Sequence, residues 1–222
     1  MGKYFNFFKT RAEYDAYMAK EKGSKNLSVF LCDEDDEVLY SPVLMEKRVI
    51  ATFNVGAKST PTKVLDREDA FTKVEIGDEE ITPVEGGYKF PKPGVYEVKY
   101  TLSDEDTIKS NSFKACGAMV SVYVPDNVKN IESRAFNSCV SLSSVTIGDN
   151  IATIGDGSFG DCRALKEVRI TAKTPPEIYE KTFDNIKSDG TLYIHKKSEG
   201  YDAWIQDKNK YLGKYGWRKE KM

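Results

Sequence analysis

Two stretches of the chain follow one pattern of residue types: "IESRAFNSCVSL" over 131–142 and "IGDGSFGDCRAL" over 154–165. Each reads Ile, four residues, Phe, two residues, Cys, two residues, Leu. The pattern has a period of 23 residues and extends one turn further towards the N-terminus, as its Phe and Cys columns show: Phe113, Phe136, Phe159; Cys116, Cys139, Cys162. An internal period of this length is the sequence signature of stacked structural repeats.

Each repeat also contains a short segment in which apolar and polar residues alternate: "VSVYVP", "SSVTIG", "KEVRIT" and "GTLYIH". Alternation with a period of two predicts a strand with one buried face. A single 23-residue unit cannot bury that face alone, whereas stacked units bury it together. The sequence therefore predicts a mainly β fold, a solenoid with a parallel sheet and a buried aromatic column. The column is expected to contain Phe113, Phe136, Phe159 and Phe183.

The strands of this sheet are predicted in sequential order near 98–102, 119–124, 143–147, 167–171 and 191–195. In this prediction the strand at 98–102 is the first rung of the solenoid and closes its N-terminal end. The C-terminal end is expected to be sealed by Trp204 and Trp217, because an open end would expose apolar rungs.

The regular cysteines can be read as metal ligands, nucleophiles or structural residues. A linear row of three thiols does not provide the tetrahedron that zinc requires. Three thiols in a row cannot all pair as disulfides, and buried Cys behaves as a small hydrophobic residue. We therefore predict that Cys116, Cys139 and Cys162 are structural, with no metal or cofactor bound.

The repeat resembles the leucine-rich repeats of the treponemal, or BspA-like, class. The stretch "LSSVTIGDNIATIGDGSFGDCRALKEVRI" is similar to their pattern, L-x-x-V-x-I-x-x-x-V-x-x-I-x-x-x-A-F-x-x-C. The resemblance covers 103–195 and implies a leucine-rich-repeat solenoid that acts as a binding scaffold. Residues 196–222 resemble the cap that ends such arrays.

Two further segments precede the repeats. Short alternating strands in 46–102, such as "KRVIATFNV" and "GVYEVKYTL", predict a small antiparallel β-domain of sandwich type. Residues 1–45 are expected to form a short α/β unit, with a helix over 11–20 and a hairpin around the acidic run 33–37. That run lacks the spacing of a calcium-binding loop, so a solvated turn is favoured over a cation site.

Composition and motifs exclude several classes of function. The 33 basic and 35 acidic residues nearly cancel, so neither a nucleic acid nor an anionic membrane is an expected partner. No apolar run is long enough for a membrane span or the core of a signal peptide. The single histidine, His195, has no nucleophile motif near it, and no catalytic residues can be assigned. We expect a protein that is not an enzyme.

The order of segments resembles structural proteins of phages that infect gut Bacteroides-type bacteria, including crAss-like phages. This resemblance implies a head or tail fibre or decoration subunit that assembles in the host cytoplasm and resides in the virion. Its expected partners are other virion proteins through 1–45, further copies of itself, and a host surface protein or glycan. The alternative is a BspA-like adhesin at the bacterial cell surface. Since an adhesin should carry a secretion signal, the virion interpretation is favoured.

Overall fold

The computed structural model describes residues 6–8, 29–32, 38–40, 47–56, 61–77, 79–209 and 211–222. The chain divides into two compact units, Met1–Lys47 and Arg48–Met222. The first contains β1 (Asn6–Phe8), β2 (Val29–Cys32) and β3 (Val38–Tyr40). Strand β2 pairs antiparallel with β3, as the predicted hairpin requires, and parallel with β1. The helix predicted over 11–20 and the acidic run 33–37 lie outside the described residues.

The regular secondary structure described in the second unit consists mainly of strands. In chain order they are β4 (Val49–Val55), β5 (Thr62–Lys63), β6 (Phe71–Ile76), β7 (Glu79–Glu80), β8 (Gly87–Tyr88), β9 (Gly94–Leu102), β10 (Thr107–Ile108), β11 (Met119–Val124), β12 (Asn130–Ile131), β13 (Ser144–Ile147), β14 (Thr153–Ile154), β15 (Glu167–Ile170), β16 (Glu177–Ile178), β17 (Thr191–Ile194) and β18 (Arg218–Lys221). The described helical segments are short: Glu68–Ala70 and Gly213–Tyr215 are 3-10 helices, and α1 is Ala203–Gln206.

Two parallel sheets form the solenoid. In the wider one, β11, β13, β15 and β17 pair in sequential order, and Val145 lies between Val122 and Val168, as the 23-residue period predicts. In the narrower one, β10, β12, β14 and β16 pair in the same way. The predicted fold class, a mainly β solenoid with a parallel sheet, is therefore confirmed.

Each turn of the solenoid bends at the same place in the repeat. Four residues other than glycine have a positive φ at this position, one in each turn, with φ between 56° and 62°: Ala115, Ser138, Asp161 and Asn185. A left-handed conformation at a residue with a Cβ costs about 1–2 kcal/mol. Its recurrence shows that the register of the stack, rather than the local sequence preference, sets the backbone at this position.

The prediction that 98–102 forms the first parallel rung is wrong. Strand β4 lies between β9 and β11 and pairs antiparallel with both. Its inward residues, Val49, Ala51 and Phe53, are fully buried. Strand β4 therefore adds an apolar row beside β11, the first parallel strand of the wider sheet. Sequence reasoning missed this pairing because β4 and β11 are far apart in the chain.

The antiparallel strands predicted within 46–102 continue the sheet of the solenoid. Among the described residues this sheet has nine strands in the order β18-β17-β15-β13-β11-β4-β9-β6-β7. A separate ribbon consists of β5 and β8. The buried residues of the second unit form one continuous core that runs from Val49 to Trp217.

Candidate binding surface

The interior of the solenoid contains the aromatic column that the period predicts. The rings of Phe113, Phe136, Phe159 and Phe183 stack with centroid separations of 5.0, 5.2 and 5.6 Å and interplanar angles of 6°, 2° and 8°. All four residues are at most 1% exposed. Because the rings contact one another from turn to turn, the column forms a continuous part of the packed core.

Other aromatic residues lie against both ends of the column. Tyr100 packs edge-on against Phe113 at 4.9 Å, and its hydroxyl donates to the Val64 carbonyl at 2.7 Å. At the other end Trp204 lies 5.9 Å from Phe183. Both ends of the apolar stack are thus covered by rings from outside the repeat.

Trp217 lies at a second position in the C-terminal cap. Its indole Nε1 donates to the Lys187 carbonyl at 2.8 Å, and its ring packs directly on Gly190. Trp217 is 2% exposed and Trp204 is 4% exposed, so both are placed for packing rather than for contact with a ligand.

The three repeat cysteines are fully buried, and each is a free thiol. The thiol of Cys139 donates to the Phe113 carbonyl at 3.1 Å, and that of Cys162 donates to the Phe136 carbonyl at 3.2 Å. Burial raises the pKa of Cys139 to about 12 and raises that of Cys116 and Cys162 well above its ordinary value. Since the thiolate is the reactive form, these thiols are poor nucleophiles at neutral pH.

The remaining candidates for chemistry do not converge on a site. His195 accepts a hydrogen bond from the Lys197 amide at its Nδ1, 3.1 Å away. Within the described part of the chain, no three His, Cys, Asp or Glu side chains are grouped so that they could hold a metal ion. None of the described helices has the length and apolar character needed to cross a bilayer.

Along the described strands of the solenoid, the sheet face opposite the core carries the side chains that are not fully buried. Successive side chains of a strand point to opposite faces, so the residues between the buried positions line this outer face. Strand register aligns them in two rows that cross the rungs. The central row contains Ile50, Tyr123, Thr146, Arg169, Tyr193 and Glu220. The flanking row contains Thr52, Ser121, Ser144, Glu167 and Arg218, and Thr191, which is in register between the last two, is buried.

Arg169 of the central row is held in place by one contact within that row and one contact to the flanking row. The Arg169 guanidinium lies over the Tyr193 ring, 4.0 Å from its centroid, and Arg169 Nη2 is 3.4 Å from Glu167 Oε2. These contacts order two long side chains before any partner arrives, and this lowers the entropy cost of binding. Tyr and Arg are also the residue types that contribute most binding free energy in protein interfaces.

The buried half of each strand follows from the alternating pattern, but the exposed half was not recognised from the sequence as a candidate site. The signal was present in the same segments, since "VSVYVP", "KEVRIT" and "GTLYIH" place Tyr123, Arg169 and Tyr193 at equivalent polar positions. A single exposed residue on one strand does not indicate a binding surface. The row becomes visible only when the register aligns the three strands.

Parallel rungs, a laddered core and capped ends define a repeat scaffold of the leucine-rich type. In agreement with this, the family model for the BspA type leucine-rich repeat region matches residues 104–203, in six copies. The match confirms the predicted likeness of this segment to BspA-like repeats. Neither a curated protein nor a solved structure matches the chain.

Proposed function

We propose that this protein is a non-enzymatic binding module that recognises another protein through the central row of its outer sheet face. The observation that carries this proposal is the alignment of Tyr123, Arg169 and Tyr193 in one row across four rungs, with Thr146 between the first two. Repeats of this type generally mediate contacts between proteins, and solenoids present extended surfaces of this kind.

The size of the row fits a protein partner. Adjacent strands of a sheet lie about 4.8 Å apart, so the three rung steps from Tyr123 to Tyr193 span about 14 Å. Around it the flanking row supplies hydroxyl and charged groups such as Ser144 and Glu167. An aromatic centre surrounded by polar side chains is the usual anatomy of a protein interface.

A site-specific photocrosslinker tests this proposal. Placed at Thr146 in the full chain, it should yield one dominant crosslinked protein in extracts of the cells where the chain is made. Excess unmodified protein should compete with the crosslink, whereas the Tyr123→Ala/Tyr193→Ala variant should not. The same crosslinker at Glu180, away from the sheet, is the matched control. Equal crosslinking from both positions, or equal competition by the double variant, would contradict the proposal.

Our finer proposal is that the module belongs to a phage virion, as a head or tail fibre or decoration subunit. It is supported by the resemblance of the segment order to phage structural proteins. In this setting residues 1–45 attach the subunit to the particle, and the sheet face meets a host surface protein or glycan. A BspA-like adhesin at the bacterial cell surface is the alternative, in which the same face binds its partner from the cell envelope.

Mass spectrometry of purified particles separates these two settings. The virion proposal expects peptides of this protein at a constant ratio to other particle proteins. A chain shortened to start near Glu46 should fold and fail to join the particle. Detection in a bacterial envelope fraction and not in particles would favour the adhesin, and attachment of the shortened chain would place the contact outside 1–45.

A further inference from the structure

The chain contains two Asp-Gly bonds, Asp156-Gly157 and Asp189-Gly190. A glycine that follows an aspartate has no side chain to shield its amide nitrogen, so the carboxyl group of the aspartate can approach that nitrogen closely. Whether the two groups react depends on how the folded chain holds them. The structure places the two bonds in different surroundings.

The Asp156-Gly157 bond lies on an open turn. Asp156 is exposed and Gly157 is partly buried. Among the described residues, none forms a hydrogen bond or ion pair with the Asp156 carboxylate, and none accepts from the Gly157 amide. A Cβ at position 157 would meet only the Cγ of Arg134, at 3.6 Å. The two groups are therefore accessible to each other and to water.

The repeat imposes a left-handed backbone at this position, and this turn alone fills it with glycine. The residues at the same position of three successive turns have φ of 61°, 59° and 62°: Asn111, Arg134 and Gly157. The preceding turns place a serine before it, as Ser110-Asn111 and Ser133-Arg134. Glycine adopts this conformation without the penalty of a Cβ, and it leaves the amide uncovered.

The Asp189-Gly190 bond is held on both sides. The Asp189 amide donates to the Tyr215 carbonyl at 3.0 Å. Gly190 is buried, and a Cβ there would lie 2.3 Å from Trp217 Cε2. Rotation of this peptide group towards the carboxyl of Asp189 would have to displace the indole. The chain therefore provides an internal comparison for the open bond.

We propose that Asp156 is a site of spontaneous conversion to isoaspartate, through a cyclic imide formed with Gly157. The Gly157 nitrogen attacks Cγ of the protonated Asp156 carboxyl group, and an N–C bond forms. The C–O bond to the hydroxyl breaks, and the hydroxyl leaves with the amide proton as water. Water then adds to the main-chain carbonyl carbon of Asp156 and breaks the bond from that carbon to nitrogen. The chain now continues through Cγ, and its mass is unchanged.

Isoaspartate changes the stack because it inserts one more carbon atom into the backbone, a lengthening of about 1.5 Å. This turn is joined to the preceding one by two hydrogen bonds, from the Arg134 amide to the Asp156 carbonyl at 3.0 Å and from the Phe136 amide to the Ser158 carbonyl at 2.8 Å. The first acceptor becomes a free carboxylate in the product. We therefore expect the altered protein to be less stable, independently of what the sheet face binds.

Peptide mapping of the full-length protein after prolonged incubation at 37 °C tests the proposal. Chromatography separates isoaspartyl from aspartyl peptides of equal mass, and an isoaspartyl methyltransferase labels only the former. Isoaspartate should accumulate at position 156 in several-fold excess over position 189. In concentrated urea, where Trp217 no longer covers Gly190, the two positions should react at similar rates. Equal amounts at both positions in the folded protein, or no product at 156, would overturn the proposal.

Two matched variants connect the product to stability. Asp156→Glu keeps the exposed charge and would require a larger ring, so it should lose the product at 156 and keep its urea midpoint during incubation. Asp189→Glu should form the product at 156 and show the same fall in urea midpoint as the unaltered protein. An equal fall in midpoint in Asp156→Glu would show that isoaspartate at 156 does not disturb the stack and would overturn that part of the proposal.

Discussion

The rings of Phe136 and Phe159 lie 5.2 Å apart and within 2° of parallel, each contributed by the same position of successive turns. Neither residue is exposed to solvent. A substitution in this column therefore removes contacts to both neighbouring rings, and the turns on either side lose their alignment. Substitutions in the column therefore measure how much the stacking of equivalent residues contributes to the free energy of unfolding.

We expect Phe136→Ala and Phe159→Ala each to lower the free energy of unfolding by about 3–5 kcal/mol, the range for buried aromatic residues. Cys139→Ala should cost clearly less, on the order of 1–2 kcal/mol, because it removes a single heavy atom and a weak hydrogen bond. Urea unfolding followed by circular dichroism gives all three values. If Cys139→Ala is the most damaging change, or if the purified protein contains metal, the structural role assigned to the cysteines is wrong.

A hydroxyl group in the core offers a change in the opposite direction. Ser158 is fully buried, and among the described residues its Oγ has no hydrogen-bond partner. A buried unsatisfied polar group costs about 1–3 kcal/mol. Ser158→Ala should therefore raise the free energy of unfolding by about 1 kcal/mol and raise the urea midpoint without changing the slope.

Thr182, one turn later, provides the control for Ser158. Its Oγ1 accepts from the Tyr179 amide at 2.9 Å and lies 3.2 Å from the Ile154 carbonyl. Thr182→Val keeps the shape and loses both interactions, so it should destabilise the protein. Equal effects of the two substitutions would show that the hydrogen bonds at these positions contribute nothing to stability.

The sequence predicted the parts of the fold that the period controls. The position of Phe136 between Phe113 and Phe159, and that of Val145 between Val122 and Val168, follow from spacing alone because a stack repeats its contacts at every turn. Parallel pairing in sequential order follows for the same reason.

Features that break the period could not be predicted in this way. Strand β4 pairs with β11 across a long stretch of chain, and alternation within 49–55 does not identify its partner. Strand β18 consists of Arg, Lys, Glu and Lys, a composition that does not indicate a strand, and it forms because the exposed edge of β17 is available for pairing. The outer row of Tyr123, Arg169 and Tyr193 likewise depends on register rather than on residue type.

The contact between Gly190 and Trp217 can be tested by adding one methyl group. A Cβ at position 190 would lie 2.3 Å from Trp217 Cε2, closer than any van der Waals contact permits. Gly190→Ala should displace the indole, weaken its hydrogen bond to Lys187 and cost about 1–3 kcal/mol, as overpacking does elsewhere.

Gly56→Ala serves as the control for this substitution, because a Cβ there meets nothing within 4 Å. It should leave the near-ultraviolet circular dichroism of the tryptophans unchanged, whereas Gly190→Ala should alter it. A Gly190→Ala protein with unaltered tryptophan signals and stability would mean that Trp217 does not seal the last turn in the way its packing indicates.

The stability of the C-terminal cap should depend on pH through Asp184. The Tyr215 hydroxyl donates to Asp184 Oδ1 at 2.9 Å, and Lys214 Nζ lies 3.1 Å from the same atom; together they hold the pKa of Asp184 below its ordinary value. A carboxyl whose pKa is lower in the folded state stabilises the fold above its unfolded pKa of about 4, and this contribution is lost as the pH falls through the folded pKa. Since the Asp184 side chain is 46% exposed, we expect a contribution below about 1 kcal/mol.

Urea unfolding between pH 7 and pH 3 measures this contribution. Asp184→Asn should be less stable than the unaltered protein at pH 7, and the difference should shrink towards zero at the acidic end. Asp207→Asn is the control: the Oδ1 of Asp207 accepts from the Asn209 amide at 2.9 Å, and an asparagine keeps that acceptor, so this stability difference should not follow the same course with pH. A stability difference for Asp184→Asn that is constant across the range would show that the ionised carboxylate is not what binds Tyr215 and Lys214 to the last turn.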